Sequence, residues 1–321
     1  MLREFILAAV VCLPLCARAV DAEGTITILD GEAFIYRGAA RYSAGEGVRL
    51  EGGDIVETRA ASFMQVEFPD LLVIQFGPET RAMLSSPGAA GRQKPEYWLF
   101  VMNGWCKVVG AKARADGAPG LEVRTRALEI PSNPAVVVFN EQAADVTLFV
   151  ERGEVKLSER QASGGPIGVA LKAGDYYRRA PGARGTVNSG STQGFVGGMP
   201  RAFRDSLPLR LDRFRDQGIR PKEAPDFNYA DVEAWLNAEP WLRRPFVQRW
   251  RAKAKDPAFR RSLISSLSSH PEWDPVLFPE KYVNKELARR AARPRAAVAE
   301  PGARPAPARP VAEPASSPST Q

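Results

Sequence analysis

The chain writes one short phrase twice. Gly31-Glu32-Ala33-Phe34-Ile35, followed after a gap by Gly47-Val48-Arg49-Leu50-Glu51-Gly52-Gly53-Asp54, returns as Gly153-Glu154-Val155-Lys156-Leu157 and then Gly168-Val169-Ala170-Leu171-Lys172-Ala173-Gly174-Asp175. A third, partial copy at residues 99–108 aligns with residues 148–157 on the same strand–glycine–strand pattern. Residues 54–60 and 121–127 add a further echo, an extended stretch that leads to Thr-Arg-Ala and then to another strand. Recurrence on this scale means supersecondary units that bury their apolar faces against one another. None of the repeated positions carries a group suited to catalysis, so the repeats build a scaffold.

From residue 24 to about residue 195 the pattern is strand after strand. Thr25-Ile26-Thr27-Ile28-Leu29 ends at the turn pair Asp30-Gly31, and Ala33-Phe34-Ile35-Tyr36-Arg37 ends at Gly38, as expected of a hairpin. Further runs at 63–68, 71–76, 121–125, 135–139 and 145–150 are bounded by Gly, Pro or Asp. A period of two in such runs predicts half-buried strands, with β-branched and aromatic side chains facing an inner layer and polar ones facing water. The packing expected is a sandwich or roll of short strands.

Near Gly197-Gly198-Met199-Pro200 the pattern changes. Asn228 with Asp231 predicts a capped helix start, with Val232, Trp235 and Leu236 on one face. Leu242, Phe246 and Trp250, four apart, mark a second helix that Pro240 or Pro245 opens, and Asp256-Pro257 opens a third with Phe259, Leu263, Ile264 and Leu267 as its apolar face. From about Lys285 large apolar residues almost vanish among Ala, Arg, Pro and Glu. Such a stretch cannot offset a backbone ordering cost of about 1–2 kcal/mol per residue, so disorder is expected there. The organisation predicted is α+β: a signal peptide over 1–22, an all-β domain over 23–197, a small helical bundle over 198–284 and a disordered tail over 285–321.

The first residues predict export to the periplasm. Arg3 precedes an apolar run from Phe5 to Leu15, and Ala17-Arg18-Ala19 or Val20-Asp21-Ala22 offers a small-residue cleavage site. The run is too short for a hydrocarbon core that needs about twenty helical residues, and no transmembrane span is expected in the mature chain. Lipid attachment at Cys16 is disfavoured, because Leu15 is large where a small residue normally precedes a lipidated cysteine. Cleavage removes Cys12 and Cys16, leaving Cys106 as a buried, inert thiol with no disulfide partner. The net charge of +7 comes from the part of the chain after residue 200. For an exported protein that surplus points to acidic proteins, lipid head groups or wall polymers, and away from nucleic acid.

The order of six segments resembles the FecR domain family over about residues 24–180. These are Gly-Glu-Ala-Phe-Ile at 31, Gly-Val-Arg-Leu-Glu-Gly-Gly-Asp-Ile-Val-Glu-Thr at 47, Phe-Met-Gln-Val-Glu-Phe at 63, Leu-Glu-Val-Arg-Thr-Arg-Ala at 121, and the paired Leu-Phe-Val segments at 99 and 148. The resemblance implies a β-rich periplasmic domain without catalytic residues or cofactor, known in its namesakes as the sensor half of an iron-uptake signalling protein. Signalling members carry an anti-sigma segment and a membrane helix ahead of the β domain, where this chain has its leader-like segment, so direct control of a sigma factor is not expected. Ser132-Asn133-Pro134-Ala135 also stands where many members have an Arg-Gly-Thr turn.

The chemistry-bearing residues give no enzyme signature. His270 is the only histidine, which removes histidine triads and multi-histidine metal sites, and a surface or capping role is expected for it. Serines 262, 265, 266, 268 and 269 lack a nucleophile elbow. Asp30-Gly31 and Gly53-Asp54 lack the spacing of a calcium loop and fit turns. Trp235, Trp241, Trp250 and Trp273 are expected to fill the helical core. Arg243, Arg244, Arg260 and Arg261 form two basic pairs that fit either a solvated face or contact with an acidic partner. The function expected is a non-enzymatic envelope binding or scaffold protein, without cofactor or metal, that recognises a protein partner in signal transduction. The alternative is a peptidoglycan or polysaccharide binder that uses its basic C-terminal region.

Overall fold

Three of the repeated glycines are corners at which the chain leaves one sheet for another. The computed structural model describes residues 24–69, 71–85, 98–110, 121–131, 133–161 and 163–283; the expected signal peptide and tail lie outside the described residues. The first half runs β1 (Thr25–Asp30), β2 (Ala33–Arg37), β3 (Ala40–Ser43), β4 (Ile55–Thr58), β5 (Phe63–Glu67), β6 (Val73–Phe76) and β7 (Arg81–Leu84). The long β8 (Trp98–Val109) leads to β9 (Glu122–Arg124), β10 (Leu128–Ile130), β11 (Val136–Gln142), β12 (Asp145–Arg152), β13 (Glu154–Glu159), β14 (Ile167–Lys172), β15 (Asp175–Arg179) and β16 (Thr186–Ser189).

Two sheets result. The first is ordered β1-β5-β6-β8-β11-β12-β15-β16, every pair antiparallel. The second is ordered β3-β2-β4-β7-β8-β9-β10-β13-β14, antiparallel except for the parallel β8–β9 pair. β8 serves both: residues 98–103 pair in the second sheet and residues 104–109 in the first. Gly31 between β1 and β2, Gly104 inside β8 and Gly153 between β12 and β13 are crossing points at equivalent places of the repeat, with φ of 83°, 104° and 80°. A Cβ at Gly104 would sit 2.5 Å from Thr80 Cα, so only glycine fits both the left-handed backbone and the close approach. Asp30-Gly31 is therefore a change of sheet, and the expected hairpin is β2–β3 around Gly38. The echoed aspartates also match in detail: Asp54 Oδ2 accepts the Glu51 N–H at 2.9 Å, and Asp175 Oδ2 accepts the Lys172 N–H at 2.9 Å.

Between the sheets lies the main core, which includes Ile26, Ile35, Met64, Ile74, Val101, Phe139, Leu148 and Leu157. The outer faces are not left to water. Glu57, Gln65, Glu67 and Gln75 were expected to be solvated and are instead buried, because the chain after residue 190 covers both outer faces. On the first sheet, α1 (Gln193–Gly198) brings Phe195 against Tyr176 and Trp105, and Phe203 packs on Phe63. There α2 (Leu211–Phe214) begins with the Arg210 and Leu211 N–H groups donating to the buried Glu67 carboxylate at 2.9 Å. A two-residue strand, β17 (Lys222–Glu223), then pairs with β3 at the edge of the second sheet.

On the second sheet sit α3 (Tyr229–Leu236), α4 (Pro240–Arg249) and α5 (Pro257–Ser265), followed by α6 (Asp274–Leu277). Asn228 and Asp231 form a reciprocal capping box, and Asp256 caps α5 through the Phe259 N–H at 2.7 Å. Trp235, Phe246, Trp250 and Trp273 close a core shared with Phe34, Tyr36, Met83 and Phe100 of the sheet. Arg249 fastens this layer: its guanidinium donates to the Tyr36, Gly38 and Gly53 carbonyls. Burial brings that guanidinium down to about 10, still charged at neutral pH. Ile264 was expected on the buried face of α5 and is 41 % exposed, because Phe259 and Leu263 already fill the stripe. No helix among the described residues is long and apolar enough to cross a membrane.

Candidate functional site

The two Thr-Arg-Ala echoes converge on one groove. Thr58 and Thr125 are buried and their hydroxyls hold turns: Thr58 Oγ1 donates to Gly77 O of the β6–β7 turn at 2.6 Å, while Thr125 Oγ1 accepts the Ala127 and Leu128 N–H groups of the turn that follows it at 3.0 Å. The arginine after each threonine, Arg59 or Arg126, lines a cleft of about 370 Å³ with Glu57, Glu79, Arg81 and Asn103. Ala234 of α3 forms part of its wall. A second cleft of about 500 Å³ shares Arg126 and adds Arg160, Arg179, Glu239 and Trp241. The β11–β12 hairpin tip borders both, Ala143 lining the first and Ala144 the second.

Charge in the groove is mixed and only partly paired. Buried Glu57 lies 2.8 Å from Arg81 Nε and 4.0 Å from Arg59 Nη1, and accepts the Tyr36 hydroxyl at 2.9 Å. Burial, with the Glu57 charge second, pushes the Tyr36 phenol up. Arg126 Nε is 3.3 Å from Glu239 Oε1, and Arg160 Nε is 3.9 Å from Glu129. Arg59 lies over the Phe34 ring and Arg160 over the Trp241 ring, each 4.9 Å from the centroid. Among the described residues, the guanidiniums of Arg59, Arg126 and Arg160 donate no hydrogen bond to the protein. A guanidinium offers five N–H donors. These three therefore hold unused donor capacity at the groove.

Behind the hairpin tip, Glu141 is fully buried, and its Oε1 accepts the Ala144 N–H at 2.7 Å. Its Oε2 and the Oε2 of Glu239 are buried without a partner. Burial pushes the Glu141 carboxyl up to about 7. The backbone here is strained as well. Ala61, Glu79, Ala143 and Ala144 have φ of 55°, 51°, 51° and 70°, in the left-handed region that non-glycine residues rarely adopt, and all four line the groove or adjoin its lining. Ala143-Ala144 occupies a hairpin position where Asn-Gly is the usual choice. Strain of this kind persists where the surroundings enforce it and clusters at binding sites.

The arginine pairs picked from sequence are split by the structure. Arg243 is half-buried, donating to both Glu272 oxygens and to Ala238 O, and Arg260 donates to Leu277 O. Arg244 and Arg261 are exposed, Arg244 lying 3.9 Å from Glu272. His270 was expected at the surface and is fully buried, with Nδ1 3.3 Å from Asn237 Oδ1 and Nε2 unpartnered. Burial holds its pKa below the ordinary value. Cys106 is buried, which raises its thiol pKa. Trp241 is 39 % exposed at the groove, in contrast to the three other helical tryptophans. The groove residues Arg59 and Arg126 carried one sequence signal, their equivalent places after the echoed threonines; Arg160 and Glu141 carried none.

No family model matches the chain, and no curated protein matches it. Among solved structures, two crystal structures titled "putative anti-sigma factor", both from Parabacteroides distasonis, align with it at 15 % and 13 % identity. Each has a TM-score of 0.34 and covers 44 % of this chain. The chain spans 62 % of the length of each, less than two thirds.

Proposed function

We propose that this chain is an exported, non-enzymatic binding protein of the bacterial envelope, in which a FecR-like β domain recognises a protein partner in a signalling role. One observation carries the reading. Half-buried guanidiniums from equivalent corners of the two repeats meet in one groove, ion-paired to Glu57 and Glu239 at 4.0 and 3.3 Å but donating no hydrogen bond among the described residues. Such donors are hydrated in the free chain and are open to a ligand's carboxylates, which they bind through charge-assisted hydrogen bonds. The FecR resemblance supplies the periplasmic setting, and the leader-like residues 1–22 agree with it.

Cell fractionation and affinity capture from envelope extract test the proposal. A defined partner recovered with periplasmic protein supports it; a chain retained in the cytosol, or turnover of wall material by the purified chain, sinks it. Trp241, half-exposed beneath Arg160, favours a second reading as a polysaccharide or peptidoglycan binder. Co-sedimentation with purified peptidoglycan that is lost in Trp241→Ala would select that reading.

A further inference from the structure

We infer that the groove running from Arg59 past Arg126 to Arg160 takes an extended, carboxylate-bearing peptide segment of the partner. The inference rests on the protein-binding reading above and names the chemistry of its ligand. Length comes first: the clefts of about 370 and 500 Å³ share Arg126, so one ligand can lie across both. Charge comes second. The guanidiniums suit carboxylates, which they bind through paired N–H donors. Glu79 and Glu239 also line the groove, and Glu239 Oε2 is buried without a partner. A dense polyanion would be repelled by those carboxylates, whereas a peptide brings backbone N–H donors for them along with its own acidic side chains. The chain's own segment 285–321, with seven Lys and Arg against three Glu, has the wrong charge to be the occupant.

The test uses the full mature chain, with Trp fluorescence and calorimetry as readouts. Probes are a blocked hexapeptide of alternating Glu and Ala, the same peptide with Lys for Glu, and an oligogalacturonate. Binding of the Glu peptide is expected, weakened about tenfold to a hundredfold in Arg126→Gln and in Arg59→Gln, and unchanged in the exposed Arg152→Gln. It should also weaken as salt rises. Circular dichroism checks that each variant folds, and Arg59→Gln reports on the groove if Arg126→Gln does not. Equal binding of the Lys peptide, preference for oligogalacturonate, or wild-type affinity in both groove variants overturns the inference.

Affinity capture separates this outcome from the broader reading. If wild-type chain recovers a partner and both groove variants recover it equally, the groove is the wrong site while protein binding stands. Loss of the partner in Arg244→Gln with Arg261→Gln, and in neither groove variant, moves the contact to the helices and has the same meaning. If wild-type chain recovers nothing, the broader reading itself fails.

Discussion

Arg249, in the helical layer, donates to three backbone carbonyls, whereas Arg126, in the groove, lies 3.3 Å from one carboxylate and donates no hydrogen bond among the described residues. Both side chains are at least partly buried, so the difference is one of saturation. Saturated arginines hold the C-terminal chain on the sandwich, and unsaturated ones are held ready in a cleft. The backbone follows the same division. Glu67 and Arg249 fasten the two outer layers through ordinary backbone geometry, while the groove is bordered by four left-handed non-glycine residues. A region that stays closed has its polar groups matched internally, and on the proposed reading the groove leaves its own open for a ligand.

Substitutions in the two regions should therefore separate. Arg249→Ala leaves the Tyr36 and Gly53 carbonyls without this donor and should cost roughly 3 kcal/mol or more, read as a fall in the urea midpoint. A loss below about 1 kcal/mol would erase the contrast.

Glu141→Gln should act through pH. The folded state keeps the Glu141 proton up to about pH 7, whereas the unfolded chain releases it near 4.5. Wild-type stability therefore falls as pH rises between those values, by up to about 3 kcal/mol. The variant should match wild type near pH 4 and exceed it above pH 7; a thermal melt series across that range decides. His270 works on the opposite side. Held neutral by burial, it leaves the proton to the unfolded state, so stability drops as pH falls through about 6.5.

Ala143→Asn with Ala144→Gly relieves the left-handed turn and should add about 1 kcal/mol while changing affinity for the acidic peptide. Unchanged stability would mean that the tip is not strained. Arg126→Gln should shift stability by no more than about 0.5 kcal/mol yet weaken binding, the inverse of Arg249→Ala.

The sequence carried the corners and caps because these are local. Gly31, Gly104 and Gly153 repeat since these three crossings use the same left-handed backbone, and Asn228, Asp231 and Asp256 cap helices within a few residues of themselves. What escaped is long-range. Glu67 reads as a solvated strand residue until the N–H groups of Arg210 and Leu211 are brought onto it from more than 140 positions away. Arg243 and Arg244 are neighbours in sequence, but adjacency along the chain says nothing about acceptors, and Glu272 takes up the first. The Thr-Arg-Ala echo was visible; that the two copies face one cleft is a property of how the halves pack. Period-two alternation also cannot tell water from a covering layer, which is why Glu57 and Gln75 read as solvated, while a helix-end position such as that of His270 says nothing about what packs over it.

The sandwich wears its covering late. Strands β5 and β6 present Gln65, Glu67 and Gln75 on a surface whose backbone partners arrive only when residues near 210 have been synthesised, and Tyr36 and Gly53 wait for Arg249. During synthesis the growing chain thus displays sticky, half-finished flanks for most of its length, so C-terminal truncations should yield inclusion bodies in place of a soluble β fragment. Residues 190–283 act as a built-in jacket, and folding ends when the jacket is fastened.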